Sequence, residues 1–222
     1  MVTTTSTLEQ QQVYSEPIVT LRGVSWQTYK ALMADVGDDR AWRIAYDRGV
    51  LEIRMPLQKH EVPKILIGNF VTAIADELEI EIMELGALTL ERKDLTCAVE
   101  PDTCFYIENE STVRGKDEIN LPDDPPPDLV VESDYTSSSL NKFTLYASLG
   151  VPELWRYRNN TLEVYQLREG KYERSEQSAI FSFLPIAEVP GFIEQSKTMG
   201  QRAAVRLFRQ RIREILANQN SD

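Results

Sequence analysis

Histidine and cysteine are nearly absent from this sequence, and their scarcity restricts the chemistry it can support. His60 is the only histidine among 222 residues, and Cys97 and Cys104 are the only cysteines. These numbers exclude a zinc site built from several histidines, and a Ser-His-Asp triad would have to use His60. Two cysteines provide neither a disulfide framework nor metal-ligand spacing. Catalysis would therefore rest on carboxylates, lysine, tyrosine or hydroxyls, and Mg²⁺ or Mn²⁺ suits such oxygen ligands.

Long apolar runs and common nucleotide-binding motifs are also missing. No run is long enough to span a membrane, and the N-terminus lacks the basic region and apolar core of a secretory signal. Neither a Walker A motif nor a Gly-x-Gly-x-x-Gly element is present. We therefore expect a cytoplasmic protein with no membrane partner.

Positive charge is in short supply. The chain has 24 Lys and Arg residues against 35 Asp and Glu residues, which gives a net charge of −11. Phosphate contacts dominate affinity for nucleic acids, so this balance argues against indiscriminate binding to them. It leaves room for a local basic groove, or for a metal ion that offsets the negative charge of a site.

The patterns that are present predict a single α/β domain over residues 17–222, after a flexible tail at residues 1–16. The tail is rich in Thr, Ser and Gln, and no repeat or linker divides the remainder. Two alternating segments, Trp42–Tyr46 and Val50–Met55, flank Asp-Arg-Gly and predict an N-terminal hairpin.

Helical periodicity marks three further segments. Ser25 can cap a helix that ends near Gly37, and a long helix is predicted from His60 to about Glu79. Residues 178–194, with two prolines, look irregular. An amphipathic C-terminal helix is predicted from about Thr198 to Ala217, and its arginines form either a solvated face or a surface for phosphate or a second subunit.

An unusual strand follows three prolines at 125–127. Leu129, Val130 and Val131 give it apolar residues on both faces, yet alternation places Asp128, Glu132 and Asp134 along one face. An ionised carboxylate in a covered strand is costly unless it is paired, hydrogen-bonded or bound to a metal.

The next helix carries a lysine on its apolar side. Ser137–Ser139 could cap this helix and Gly150 could end it. Lys142 shares its side with Tyr146, opposite the polar face, so its ammonium needs an anion nearby, and Glu132 is the nearest strong candidate. A snorkelling lysine or a structural ion pair is the alternative.

A second acid interrupts the apolar run from Val99 to Ile107. If this predicted strand pairs with the later one, Asp102 and Glu132 can converge on one divalent cation, with Lys142 behind them. Such a site suits phosphodiester hydrolysis. Glu61, in the first turn of the long helix, could also face the metal, although stabilisation of a first-turn glutamate by the helix dipole is the simpler explanation.

At these residues the chain resembles the Uma-type restriction endonuclease family, within the PD-(D/E)XK nuclease superfamily. The resemblance runs from about Trp42 to Leu167. It rests on Arg48–Glu52 with Met55-Pro56, His60 at the start of the long helix, Pro101-Asp102, Pro127–Glu132, Lys142–Ala147 and Gly150–Trp155.

The resemblance implies a mixed sheet flanked by helices, a magnesium-dependent cut in DNA, and a homodimer. It implies that Asp102 and Glu132 are the metal-binding acids and that Lys142, on the helix, replaces the usual lysine. Asp134 stands at the position of that usual lysine. Asp134 and Tyr146 are accessory candidates, as is Asp128, although Asp128 lies roughly 13 Å from Glu132 along the strand and could instead cap the proline-rich loop.

Three functions are compatible with these features. The first is a metal-dependent endonuclease acting on DNA. The second is a catalytically degenerate nuclease fold that binds a partner, which the acidic net charge keeps open. The third is a phosphoesterase acting on small nucleotides, which would need no large basic groove.

Overall fold

A computed structural model of the chain describes residues 17–37, 40–55, 58–86, 88–133 and 140–219, and only the backbone of residues 58–60. The strands are β1 (Ile18–Arg22), β2 (Arg43–Asp47), β3 (Val50–Arg54), β4 (Met83–Leu85), β5 (Leu90–Arg92), β6 (Cys97–Val99), β7 (Thr103–Tyr106), β8 (Leu129–Ser133), β9 (Glu153–Arg158), β10 (Thr161–Arg168) and β11 (Lys171–Ser175). The helices are α1 (Trp26–Val36), α2 (Gln58–Leu78), α3 (Glu110–Val113), α4 (Lys142–Leu149), α5 (Val189–Met199) and α6 (Gln201–Gln219). The flexible tail predicted at 1–16 lies outside the described residues.

The strands form two sheets. The N-terminal sheet has the order β1-β3-β2-β6-β5 and is antiparallel throughout. The predicted hairpin forms its middle, where β2 and β3 are joined by a tight turn at Arg48 and Gly49, both with positive φ. Glycine tolerates this conformation without strain.

The central sheet has the order β11-β10-β9-β8-β7-β4. Its β8 and β9 are parallel, and its other neighbouring strands pair antiparallel. The predicted mixed sheet is therefore confirmed. The parallel pair requires a crossover, and α4 lies within it, so the helix that carries Lys142 follows the strand that carries Glu132.

Apolar side chains cover both faces of the central sheet. Leu129 and Val131 on one face pack into the core that includes residues of α2, α5 and α6. Val130 on the other face joins a core with Tyr146 of α4 and Ala45 of the N-terminal sheet. The aromatic residues of α1 cover the far face of the N-terminal sheet. The buried charge of β8, Glu132, thus lies between apolar layers, as the pattern of this strand indicated.

Three predicted boundaries were wrong. The expected strand from Val99 to Ile107 is two strands in different sheets, because the chain turns at Glu100–Asp102 between β6 and β7. The segment 178–194 is not irregular throughout, since α5 begins at Val189 with a proline in its first turn, where no N–H partner is needed. The C-terminal helix begins after Gly200 rather than at Thr198.

The other predicted helices agree with the structure. Helix α1 has Ser25 as its N-cap and Gly37 after its last turn. Helix α2 begins two residues before His60. The arginines of α6 are largely committed to ion pairs, with Asp76, Glu77 and Glu188 as their partners. Over the described ranges, no helix has the length and apolar character needed to cross a membrane.

Candidate active site

Two carboxylates meet where β7 and β8 lie side by side. Thr103 pairs with Val131, so the next residues outward, Asp102 and Glu132, are neighbours across the ladder. Asp102 Oδ2 accepts a hydrogen bond of 2.8 Å from the backbone N–H of Ser133. Asp102 is 6% exposed and Glu132 is 3% exposed. The turn after β6, which sequence patterning missed, is what delivers Asp102 to this position.

Helix α4 supplies two partners for Glu132. Lys142 Nζ lies 2.7 Å from Glu132 Oε2, and the Tyr146 hydroxyl, one helical turn later, donates to Glu132 Oε1. The helix is capped by Asn141, whose side chain accepts from the Thr144 N–H, and it ends at a left-handed Gly150. The cap predicted at Ser137–Ser139 falls on residues outside the described ranges. Because Lys142 is the first residue of this helix, the cap at Asn141 fixes the backbone position from which the Lys142 side chain extends.

Arg54 enters the same site from the N-terminal sheet. Its Nη2 lies 2.8 Å from Asp102 Oδ1 and 3.7 Å from Glu132 Oε2. Sequence reasoning missed this residue, although a signal was present. Glu52 and Arg54 alternate with the apolar Leu51 and Ile53 on β3, and both charged residues are buried. This is the same kind of pattern that singled out Glu132 on β8.

The two carboxylates have pKa values that move in opposite directions. Burial raises the pKa of Asp102, but the charges of Arg54 and Lys142 and the Ser133 N–H outweigh burial and hold it below its usual value. Burial raises the pKa of Glu132, and Lys142 only partly offsets this, because the negative charge of Asp102 adds to the rise. Such paired but unequal carboxylates are common at functional sites.

The accessory candidates lie in different places. Tyr146 is in the site, and burial followed by the charge of Glu132 raises the pKa of its phenol. Asp128 is outside it and accepts hydrogen bonds from the backbone N–H groups of Ile107 and Asn109, which makes it a loop cap. Glu61 pairs with Lys64 at 2.7 Å near the start of α2. Asp134 lies outside the described residues.

A small cavity of about 170 Å³ opens beside Asp102. Its lining includes Lys64, Thr72, Glu84, Asp102 and Thr103. Lys64 is close enough for its charge to lower the pKa of Asp102, after the larger effects of burial, Arg54 and Lys142. The cavity therefore reaches one of the two acids and is lined partly by charged and hydroxyl side chains.

The donor chemistry of the site fits Mg²⁺ or Mn²⁺. Within the described part of the chain, no group of three or more His, Cys, Asp or Glu side chains could hold a metal ion. Asp102 and Glu132 nevertheless offer two adjacent carboxylates, and Mg²⁺ is usually bound through one or two carboxylates, with water and substrate phosphate as its remaining ligands.

The fold has a counterpart among solved structures. It is similar to the crystal structure of a "putative nuclease belonging to DUF820" from Anabaena variabilis ATCC 29413, with a TM-score of 0.50 and 16% sequence identity. The match covers 68% of this chain and 90% of that chain. This likeness concerns the fold alone, and it confirms the predicted mixed α/β architecture with flanking helices. No curated protein sequence matches the chain.

A family model also matches most of the chain. It covers residues 26–195 and therefore includes every strand of the two sheets except β1, helix α4 and the residues Arg54, Asp102, Glu132 and Lys142. The family is described as "Putative restriction endonuclease". The chain belongs to the Uma2 family, as its resemblance to the Uma-type endonucleases had indicated.

Proposed function

We propose that the protein is a nuclease that hydrolyses phosphodiester bonds of DNA with the help of Mg²⁺ or Mn²⁺. The observation that supports this most strongly is the meeting of three elements at one buried point. Asp102 comes from the turn before β7, Glu132 from β8 and Lys142 from α4, and Lys142 Nζ lies 2.7 Å from Glu132. A buried set of two acids and a lysine is the kind of arrangement that metal-assisted phosphodiester hydrolysis requires.

Asp102 and Glu132 would hold the metal ion. A divalent ion bound there would polarise the scissile phosphate and make a water molecule a better nucleophile. The rest of the chemistry belongs to the chain. Lys142 would stabilise the charge that develops on the phosphate, and Tyr146, through its hydrogen bond, keeps the Glu132 carboxylate in one orientation.

The substrate is proposed to be DNA, acted on by a homodimer. Membership of a family described as restriction endonucleases supports both parts, because such enzymes commonly cut two strands as a pair of subunits. The net charge of −11 makes strong non-specific binding unfavourable, so binding would depend on a local basic groove. Contacts from such a groove to phosphates weaken as salt rises, and a gel shift with DNA at several salt concentrations would detect them. Light scattering of the purified protein would test the dimer separately.

The test is metal-dependent cleavage of plasmid and single-stranded DNA by the purified protein. We expect Asp102→Ala and Glu132→Ala to abolish cleavage and Lys142→Ala to slow it by about 100-fold or more. Asp94→Ala is the control, because Asp94 is an exposed acid that pairs with Arg92 away from the site. Wild-type protein that neither cleaves nor binds Mn²⁺ in calorimetry would overturn the proposal.

A catalytically degenerate fold that binds a partner is the second candidate, and one observation favours it. Arg54 and Lys142 already balance the charges of Asp102 and Glu132 without a metal ion. Partner binding that survives Asp102→Ala, with no cleavage to lose, would support this candidate. A small-nucleotide phosphoesterase is less favoured, because the cavity of about 170 Å³ beside Asp102 is smaller than typical ligand pockets, which begin at roughly 300 Å³.

A further inference from the structure

We infer that Arg54 is a built-in counter-ion that competes with the divalent metal for Asp102 and Glu132, and so sets the metal affinity of the site. This inference rests on the metal site of the proposed function and adds a positioning residue that sequence reasoning missed. It concerns how the site is held before the metal binds.

The geometry of Arg54 is that of a bridge. A single nitrogen, Nη2, lies 2.8 Å from an oxygen of Asp102 and 3.7 Å from an oxygen of Glu132. A divalent cation held by Asp102 and Glu132 would need the same two carboxylates that Arg54 contacts. Arg54 and a metal ion would therefore compete for these carboxylates.

The mode of contact matters for how readily Arg54 can be displaced. The strongest arginine–carboxylate pairs are bidentate, with two parallel N–H···O bonds to one carboxylate. Arg211 makes such a pair with Glu188, with both distances at 2.8 Å. Arg54 instead shares Nη2 between two carboxylates, so its contact with each is weaker than a fork would be.

Burial explains why a counter-ion is needed at all. The side chains of Arg54, Asp102 and Glu132 are each less than a tenth exposed. Two adjacent carboxylates in such surroundings repel each other strongly unless cations accompany them. Lys142 contacts Glu132, and Arg54 is the cation that contacts Asp102 directly, so the protein can fold around this site before a metal arrives.

Arg54 belongs to a different sheet from the other residues of the site. Asp102, Glu132 and Lys142 belong to the central sheet and its crossover helix, whereas Arg54 ends β3 in the N-terminal sheet. Movement of the guanidinium away from the carboxylates would therefore leave the strands that carry Asp102 and Glu132 in place.

The experiment is calorimetric titration of EDTA-stripped protein with MnCl₂ alone, with no DNA present. We expect Arg54→Met to bind Mn²⁺ at least about 10-fold more tightly than the wild type, because the competing cation is gone. The control is Arg211→Met, which removes an arginine of equal size from an ion pair on α6 and should bind Mn²⁺ like the wild type. An unchanged or weaker affinity in Arg54→Met would overturn the inference.

A second variant keeps the test decisive if Arg54→Met is unstable without metal. Arg54→Lys retains the charge, and we expect it to fold and to bind Mn²⁺ within about threefold of the wild type. Recovery of a cooperative melting transition by Arg54→Met when MnCl₂ is added would support the counter-ion role. Failure to recover, even at high MnCl₂, would mean that Arg54 is simply structural.

The outcomes also separate this inference from the proposed function. If the wild type binds Mn²⁺ and Arg54→Met binds it no better, only the role of Arg54 is wrong. If neither protein binds Mn²⁺, the metal site itself is wrong and both proposals fail. If only Arg54→Met binds, the counter-ion is strong enough to exclude the metal from the wild type, which supports the inference.

Discussion

Two charge clusters in this protein have the same charge balance and different surroundings. The buried cluster consists of Arg54, Asp102, Glu132 and Lys142, and the surface cluster consists of Asp76 and Glu77 on α2 with Arg209 and Arg213 on α6. Each cluster contains two acids and two cations. The Lys142 side chain is 10% exposed, however, while that of Arg213 is 61% exposed.

The difference appears in the pKa values. In the surface cluster, the hydrogen bond from Arg213 holds the pKa of Glu77 below its ordinary value, and Arg209 adds to this effect. In the buried cluster, the pKa of Asp102 falls while that of Glu132 rises. Water reaches both arginines of the surface cluster, and their hydrogen bonds stabilise the charged form of Glu77. In the buried cluster the pKa values of the two acids shift in opposite directions, and this difference is the feature that marks a candidate site.

The largest expected effect comes from removing one cation from each cluster. Lys142→Met should lower the free energy of unfolding by about 3 kcal/mol, because it leaves Glu132 buried without its nearest cation. Arg213→Met should cost less than about 1 kcal/mol, because exposed ion pairs contribute little. Urea unfolding at pH 7 in EDTA would measure both. Equal losses in the two variants would contradict the distinction between the clusters.

A smaller effect on the unfolding free energy is expected when the pH is lowered. Since the folded-state pKa of Glu77 lies below 4.5, its ion pairs contribute fully above pH 4.5, and this contribution is lost as pH falls through the folded-state pKa. Glu77→Gln should therefore be less stable than the wild type by at most about 1 kcal/mol at pH 7. The gap should close as the pH is lowered.

Urea unfolding at several pH values, down to the lowest at which both proteins fold, would follow this gap. The pH dependence that Glu132 gives to the unfolding free energy has the opposite sign. Its folded-state pKa lies above 4.5, so its ionisation in the folded protein costs free energy as pH rises through that value. A gap between Glu77→Gln and the wild type that stays constant with pH would show that Glu77 acts by packing.

The smallest expected effect is that of salt. Raising NaCl from about 0.05 M to about 1 M shortens the screening length from more than 10 Å to about 3 Å. The difference in unfolding free energy between wild type and Arg213→Met should then shrink by a few tenths of a kcal/mol. The difference for Lys142→Met should hardly change, because salt does not reach a buried pair. Parallel urea titrations at both salt concentrations would test this.

Much of the architecture could be predicted from local signals. Ser25 and Gly37 bound α1 through a cap and a stop, and the turn at Arg48-Gly49 sets the hairpin. The choice of Asp102, Glu132 and Lys142 used one physical idea, that a charge within an apolar pattern needs a partner. The buried charges contact one another, as that idea predicts. The chemistry of the site stays a proposal.

What could not be predicted depended on long-range assembly. The apolar run from Val99 to Ile107 was predicted as one strand, because no signal in the local sequence shows that its two halves join different sheets. Arg54 was missed because its partners lie on a different sheet. The helix α5 was missed because Pro190 was taken as a breaker, while a first-turn proline is compatible with a helix.

The crossover from β8 through α4 to β9 has a consequence for the order in which the protein folds. Glu132 and Lys142 are 10 residues apart, whereas Arg54 and Asp102 are separated by 48. Short loops close at a lower entropic cost than long ones, so the glutamate–lysine contact can form as soon as this unit collapses. The arginine bridge needs both sheets in register. A nascent chain would therefore acquire the lysine half of its site early, and complete the charge balance of that site only in the last steps of folding.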